Sequence, residues 1–305
     1  MGSLEVSYSL LKSKPLDAGS LKDGILKTDK DVKAWGPEAR LLGDIFVSSW
    51  KKYIKDTLKE LYKNDLITNT VFSLDKGASQ QFYDNVKYLG VLLWGENFRK
   101  VNSLLQLLVE RAQDSGTILH KKDSGTTDFG FLVLLLLKHI SMYIDTFPER
   151  IVHPGITKLI NTLEKLDTVD IGIIKSQLDT LSDFGEGYLR GLTDVEAGVA
   201  WNAARLELAY EKGIKRYTII AQVDDILNPP CSVCMKYHGK VFNVIPARNN
   251  LIKMLKSANT DKFAKLHPFP RIDEIEGLTE KELRDRGDLP SFHEHCRCVV
   301  EIEEV

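Results

Sequence analysis

The sequence is short of cysteine in an uneven way. It has four in 305 residues, and none occurs before position 231. A framework of disulfides holding the whole chain is therefore excluded, and a chain of this length can bury a core large enough to fold without one. Charge of one sign is lacking too. Lys plus Arg number 41 against 43 Asp plus Glu, a formal charge of −2, which argues against a polyanion-coating protein. Long apolar runs are missing. The longest is Phe131–Leu137, closed by Lys138, far short of the roughly 20 residues a spanning helix needs. The first residues show no basic-then-apolar signal pattern. The expectation is a protein made in the cytoplasm with its thiols reduced. Several nucleotide and hydrolase signatures are absent as well. There is no G-x-x-x-x-G-K-[ST] loop and no G-x-S-x-G elbow. Asp128-Phe129-Gly130 and Asp183-Phe184-Gly185 spell the kinase metal tripeptide twice, but no Gly-rich loop or His-Arg-Asp accompanies them, so both are read as chance.

What is present divides the chain by texture. Residues 1–40 mix polar and apolar positions with Pro15, Gly19 and Gly24, and read as an extended arm. From Leu42 the apolar residues recur at three and four. Ile45, Phe46, Trp50, Tyr53, Ile54, Leu58 and Leu61 form one stripe on a helix. A second helical pattern follows Ser79, with Gly95 as a possible bend. A third, Thr126–Tyr143, is apolar nearly all round and is expected to be central. A fourth opens near Pro154. Residues 170–181 give a short fifth, and Thr193 or Asp194 caps a sixth that Gly213 closes. Beyond Gly213 the period becomes two. Strands are expected at Tyr217–Val223, Lys240–Val244 and Cys298–Ile302, with helices at Arg248–Ala258 and Thr279–Arg286. The fold class is α+β: an arm over 1–40, a mostly helical body over 41–190, and a small α+β domain over 191–305.

All four cysteines fall in that last part. Cys231-x-x-Cys234 follows a strand and the turn Asn228-Pro229-Pro230; the second half is His293-Glu294-His295-Cys296-Arg297-Cys298. Zn2+ takes four donors in a tetrahedron and favours thiolate and imidazole. The expected structural set is Cys231, Cys234, His293 and Cys296, with Cys298 as the substitute. The alternatives are a redox pair, a disulfide, or buried thiols packed as small apolar side chains.

Cys231-x-x-Cys234-x-x-x-His238-Gly239-Lys240-Val241-Phe242, followed by Leu289-Pro290-Ser291-Phe292-His293 and Cys296-Arg297-Cys298, resembles the C-terminal signature of the phage Mu F-like head morphogenesis family. Upstream, Ala203-Ala204-Arg205-Leu206-Glu207 resembles that family's Ala-Arg-Thr-Glu helix, with Leu206 in place of Thr. Asp225 or its neighbour Asp224 stands where the family has an Asp before the first cysteine. Glu294 replaces the usual Pro after the motif His, and the insert between the halves is long. The resemblance covers roughly residues 190–302. It implies a minor head protein of a tailed phage, not an enzyme, that sits in the virion at the capsid interior or portal vertex. Its implied partners are the portal protein, the major capsid and scaffold proteins and packaged double-stranded DNA, with no membrane. The implied motif residues are Arg205, Glu207, Asp225, His238, Gly239, Lys240 and Arg297.

Arg205 and Glu207, two apart on a helix, are expected to face different ways, one toward the C-terminal domain and one toward solvent. Lys52, Lys55, Lys59 and Lys63 share one helical face. They are candidate contacts for DNA phosphates or, with Asp56 and Glu60 beside them, an ordinary solvated face. A second functional reading is a metal-dependent nuclease or toxin-like enzyme using His238, His293 and Asp225 around an open metal site.

Overall fold

The computed structural model describes residues 35–63, 89–115, 130–147, 171–221, 232–257, 277–292 and 298–302, with 152, 154, 155, 157, 158, 275 and 296 as isolated positions. Its chain order begins with four long helices: α1 (Gly36–Lys63), α2 (Leu89–Ser115), α3 (Gly130–Phe147) and α4 (Ile171–Glu211). A smaller unit follows, made of β1 (Arg216–Ala221), α5 (Ser232–Tyr237), β2 (Lys240–Asn243), α6 (Val244–Leu255), α7 (Glu280–Arg286) and β3 (Cys298–Ile302). This is the expected α+β class.

The α1 stripe behaves as its spacing dictates. Leu42, Phe46, Trp50 and Ile54 are buried, each one turn from the next, while Lys52 and Lys55 face out. The helix opens at Gly36, and Trp35 and Glu38 are completely buried. Residues 35–40, expected in the arm, therefore belong to the helical body, because a buried indole anchors the chain there. Glu38 is paired with Arg111 of α2, which keeps a fully buried carboxylate from being an isolated charge. Across α1, the Trp50 indole donates to the Ser182 carbonyl at 3.0 Å and meets the Phe147 ring edge-on. A Cβ on Gly185 would fall 2.5 Å from Trp50 Nε1, so a glycine at this point lets the indole lie flat on α4. That packing accounts for the glycine of the second kinase-like tripeptide.

α4 corrects the expectation of two separate helices, a short one over 170–181 and another from Thr193 or Asp194 to Gly213. It runs unbroken for 41 residues and passes through residue 190, where the body was expected to end. Thr193 and Asp194 do not cap anything; both are buried in mid-helix. The Thr193 hydroxyl donates back to the Leu189 carbonyl at 2.9 Å, which satisfies it without a helix start. Gly213 ends the helix as its type predicts. Its φ is +68°, and Ile214 N–H reaches back to the Ala209 carbonyl at 2.9 Å. α4 also takes the central place expected of α3. It touches α1, α2, α3, α6, β1 and β3. α3 leaves Phe131 and Leu134 exposed on one side, so its all-round apolarity does not translate into all-round burial.

The sheet is antiparallel with order β2-β1-β3. Tyr217, Ile219 and Ala221 alternate inward along β1, and Ala221 lies opposite Cys298. β1 is described to Ala221, and the last two residues expected in it, 222 and 223, lie outside the described residues; α6 starts four residues earlier than expected, with Pro246 in its first turn. An aromatic stack fills the unit: Tyr217 on Phe242, Phe242 on Tyr237, and Tyr237 on Phe292 at 4.4 Å. Asp288 ties its polar rim, accepting from Tyr237 Oη at 2.6 Å and from Arg286 Nε at 2.8 Å. Most of the expected fourth helix, the start of the second, and residues 1–34 lie outside the described residues.

Candidate metal centre

Three cysteines from two distant parts of the chain meet behind the sheet. Cys234 lies in α5. Its position follows from the turn that leads into β2: His238 N–H donates to the Cys234 carbonyl at 3.0 Å, and Gly239 N–H donates to Ile219 at 2.9 Å. Gly239 has φ +72°, the left-handed value that this reversal requires. His238 Nδ1 accepts the Ala221 N–H at 3.2 Å, so the imidazole closes the end of β1. Cys298 begins β3, opposite Ala221, and Cys296 precedes it by two residues.

Cys234 Sγ and Cys296 Sγ are 3.8 Å apart although 62 positions separate them in the chain. The sulfurs of Cys234, Cys296 and Cys298 all lie within 4.8 Å of one another, and all three residues are buried. A disulfide would bring two of them to about 2.05 Å. A tetrahedral Zn2+ with sulfur at about 2.3 Å needs its sulfurs about 3.8 Å apart. The geometry thus fits a shared soft cation. Hydrogen bonds from the thiols of Cys234 and Cys298, and backbone hydrogen bonds at Phe292 and Cys298, hold the Cys296 thiol well below its usual range. The same sulfur contacts and burial push Cys234 up. A second and third thiolate in this buried place would be strongly unfavourable without a cation to offset them.

Of the expected ligands, the structure therefore brings together Cys234, Cys296 and Cys298. Cys298, expected as the substitute ligand, lies in the cluster with the other two. Cys231, His293, Asp225 and Arg297 lie outside the described residues. His238 is exposed and does not belong to the described cluster; its ring is used on the backbone. Lys240 opens β2 in register with Ile219.

Arg205 and Glu207 depart from expectation: both serve the C-terminal unit. Glu207 receives a two-pronged bond from Arg248 of α6, at 2.6 and 2.8 Å, and Arg248 stacks over Tyr210. Arg205 is largely buried, which lowers its pKa, and it feels the carboxylate of Glu301 on β3. Lys52 and Lys55 are exposed on α1, while the side chains of Lys59 and Lys63 lie outside the described residues. Sequence reasoning missed Asn202. Its side chain is fully buried on α4 and bonds to the backbone of Cys298 and Val300. The available signal was one amide inside the otherwise apolar run Val199-Ala200-Trp201-Asn202-Ala203-Ala204.

Comparison of the chain with protein-family models, with curated proteins and with solved structures gives no match. Among the described residues no helix is long and apolar enough to cross a membrane.

Proposed function

We propose that this chain is a non-enzymatic minor head protein of a tailed phage or prophage, with a C-terminal unit closed by a structural Zn2+. The observation that carries the reading is the meeting of the two cysteine halves, Cys234 on one side and Cys296 with Cys298 on the other, within 4.8 Å. Those are the two halves on which the resemblance to the Mu F-like family rests. Three of the ligands would be these thiolates, and Cys231 or His293 would supply the fourth. A closed four-ligand shell supplies cross-linking and no activated water. It pins the α5–β2 turn to the start of β3 across the long intervening segment.

In this reading the helical body and the segment before Trp35 meet the portal and capsid proteins, and α1 with Lys52 and Lys55 lies toward packaged DNA. The protein works by being incorporated into the head, in few copies, during assembly. Mass spectrometry of purified heads from the encoding phage or induced prophage tests this. The chain is expected in the head fraction at a low, fixed ratio to the major capsid protein. Its presence in the lysate together with absence from heads contradicts the proposal. Metal-stimulated DNA cleavage by the purified chain, lost in His238→Ala, would replace it with the hydrolytic reading.

A further inference from the structure

Among the described residues β3 is an edge strand. β1 occupies one of its sides, in antiparallel register from Tyr217–Ile302 to Ala221–Cys298. In such a strand successive residues turn their N–H and C=O groups to opposite sides. The outward groups of Cys298 and Val300 therefore need another partner. Asn202 is that partner. Its Nδ2 donates to the Cys298 carbonyl at 3.1 Å, and its Oδ1 accepts the Val300 N–H at 2.8 Å. A carboxamide has the donor and acceptor of a peptide group, and here it bonds one residue's C=O and the N–H two residues on. That is the pattern a neighbouring strand would make. Nδ2 also donates to Gly198 one turn back on α4 at 3.0 Å, so the amide's orientation is fixed from the helix side.

Gly198 is itself a contact. A Cβ there would lie 2.7 Å from Ser291 Oγ and 3.0 Å from the Trp35 indole. The stretch that carries Cys296 and Cys298 is thus seated on α4 at both ends, by Gly198 under Ser291 and by Asn202 beside β3. Phe292 and Cys296, both buried, lie between these anchors.

We infer that Asn202 is a positioning residue for the metal centre, and that ion binding at Cys234, Cys296 and Cys298 is coupled through it to the seating of β3 on α4. The inference rests on the metal reading above. An ion that fixes Cys298 favours the backbone placement that Asn202 recognises, and Asn202 favours the sulfur placement that the ion needs. Such coupling is reciprocal by thermodynamic necessity. A residue that orients a ligand without touching the metal commonly changes affinity by about 10- to 100-fold.

Cobalt titration of the full, reduced chain tests both statements separately. In wild type, Co2+ should produce sulfur-to-cobalt charge-transfer absorption that Cys296→Ser weakens. Absence of that absorption in wild type overturns the metal reading and this inference with it. Given the absorption, folded Asn202→Leu should bind Co2+ about 10- to 100-fold more weakly. Glu186→Gln, which loosens α4 far from the cysteines, should leave Co2+ affinity unchanged. Equal Co2+ affinity in Asn202→Leu and wild type overturns the inference alone. Should Asn202→Leu fail to fold, hydrogen exchange of the wild type decides. Added Zn2+ should slow exchange in peptides covering both 298–302 and 198–205. Slowing confined to the first, or no change in either, overturns the coupling.

Discussion

Gly198→Ala sets two known effects against each other. In an exposed helix the change would stabilise by about 1 kcal/mol, because alanine restricts the unfolded chain and suits the helix. In α4 the new methyl would lie 2.7 Å from Ser291 Oγ and 3.0 Å from the Trp35 ring. Overpacking of this kind costs about 1–3 kcal/mol, and both neighbours are fully buried with nowhere to move. The expected net change is a loss of about 0–2 kcal/mol. Ser291→Ala removes the nearer of the two atoms. The Ser291 hydroxyl is buried with no hydrogen-bond partner among the described residues. Its removal alone should therefore be neutral or stabilise by about 1 kcal/mol. Together the substitutions should show a favourable coupling of about 0.5–2 kcal/mol, since they share one contact. Urea unfolding followed by far-ultraviolet circular dichroism gives all four corners of the cycle. Gly198→Ala more stable than wild type, or a coupling of zero, would refute the close approach of Ser291 to α4.

Glu207→Ala should cost about 1–3 kcal/mol, because it leaves the half-buried Arg248 guanidinium without its two-pronged partner; Arg248→Ala in the same background should add little in a double-mutant cycle. Glu186 is held below its ordinary carboxylate value by hydrogen bonds from Lys51 and Arg190. A lowered folded-state pKa gives stability that is present above the unfolded value, near 4.5, and lost as pH falls through the folded value. Glu186→Gln should then cost about 0.5–1 kcal/mol at pH 7 and progressively less as pH falls below 4.5, measured as the difference in urea midpoints across that pH range.

The helices were legible where their apolar period was regular. α1 lost only its first residues to the supposed arm, because Trp35 and Glu38 owe their burial to α2 and α4, which a local pattern cannot show. α4 was misread as two helices. Its four glycines beyond the first turn, Gly185, Gly187, Gly191 and Gly198, and the pair Thr193-Asp194 are breakers and caps by local preference, and tertiary packing overrode them: Trp50 covers Gly185, and Thr193 bonds backward within the helix. The first strand was legible from its alternation, and β3 falls on Cys298–Ile302 as expected. At the candidate site, cysteine spacing gave the convergence of two halves. It did not give the equal standing of Cys298, which depends on strand register against Ala221. His238 looked chemical by residue type, but its ring terminates a strand. Asn202 left only a faint signal, one amide in an apolar run, because the strand groups it bonds lie nearly a hundred positions away.

Zinc K-edge absorption of the purified, reduced full-length chain, with metal content counted on the same sample, bears most directly on the thiolate cluster. One zinc per chain, with at least three sulfur neighbours at about 2.3 Å, is the predicted result. A chain that emerges free of zinc and takes none up when it is offered, or zinc bound by nitrogen and oxygen alone, would contradict it.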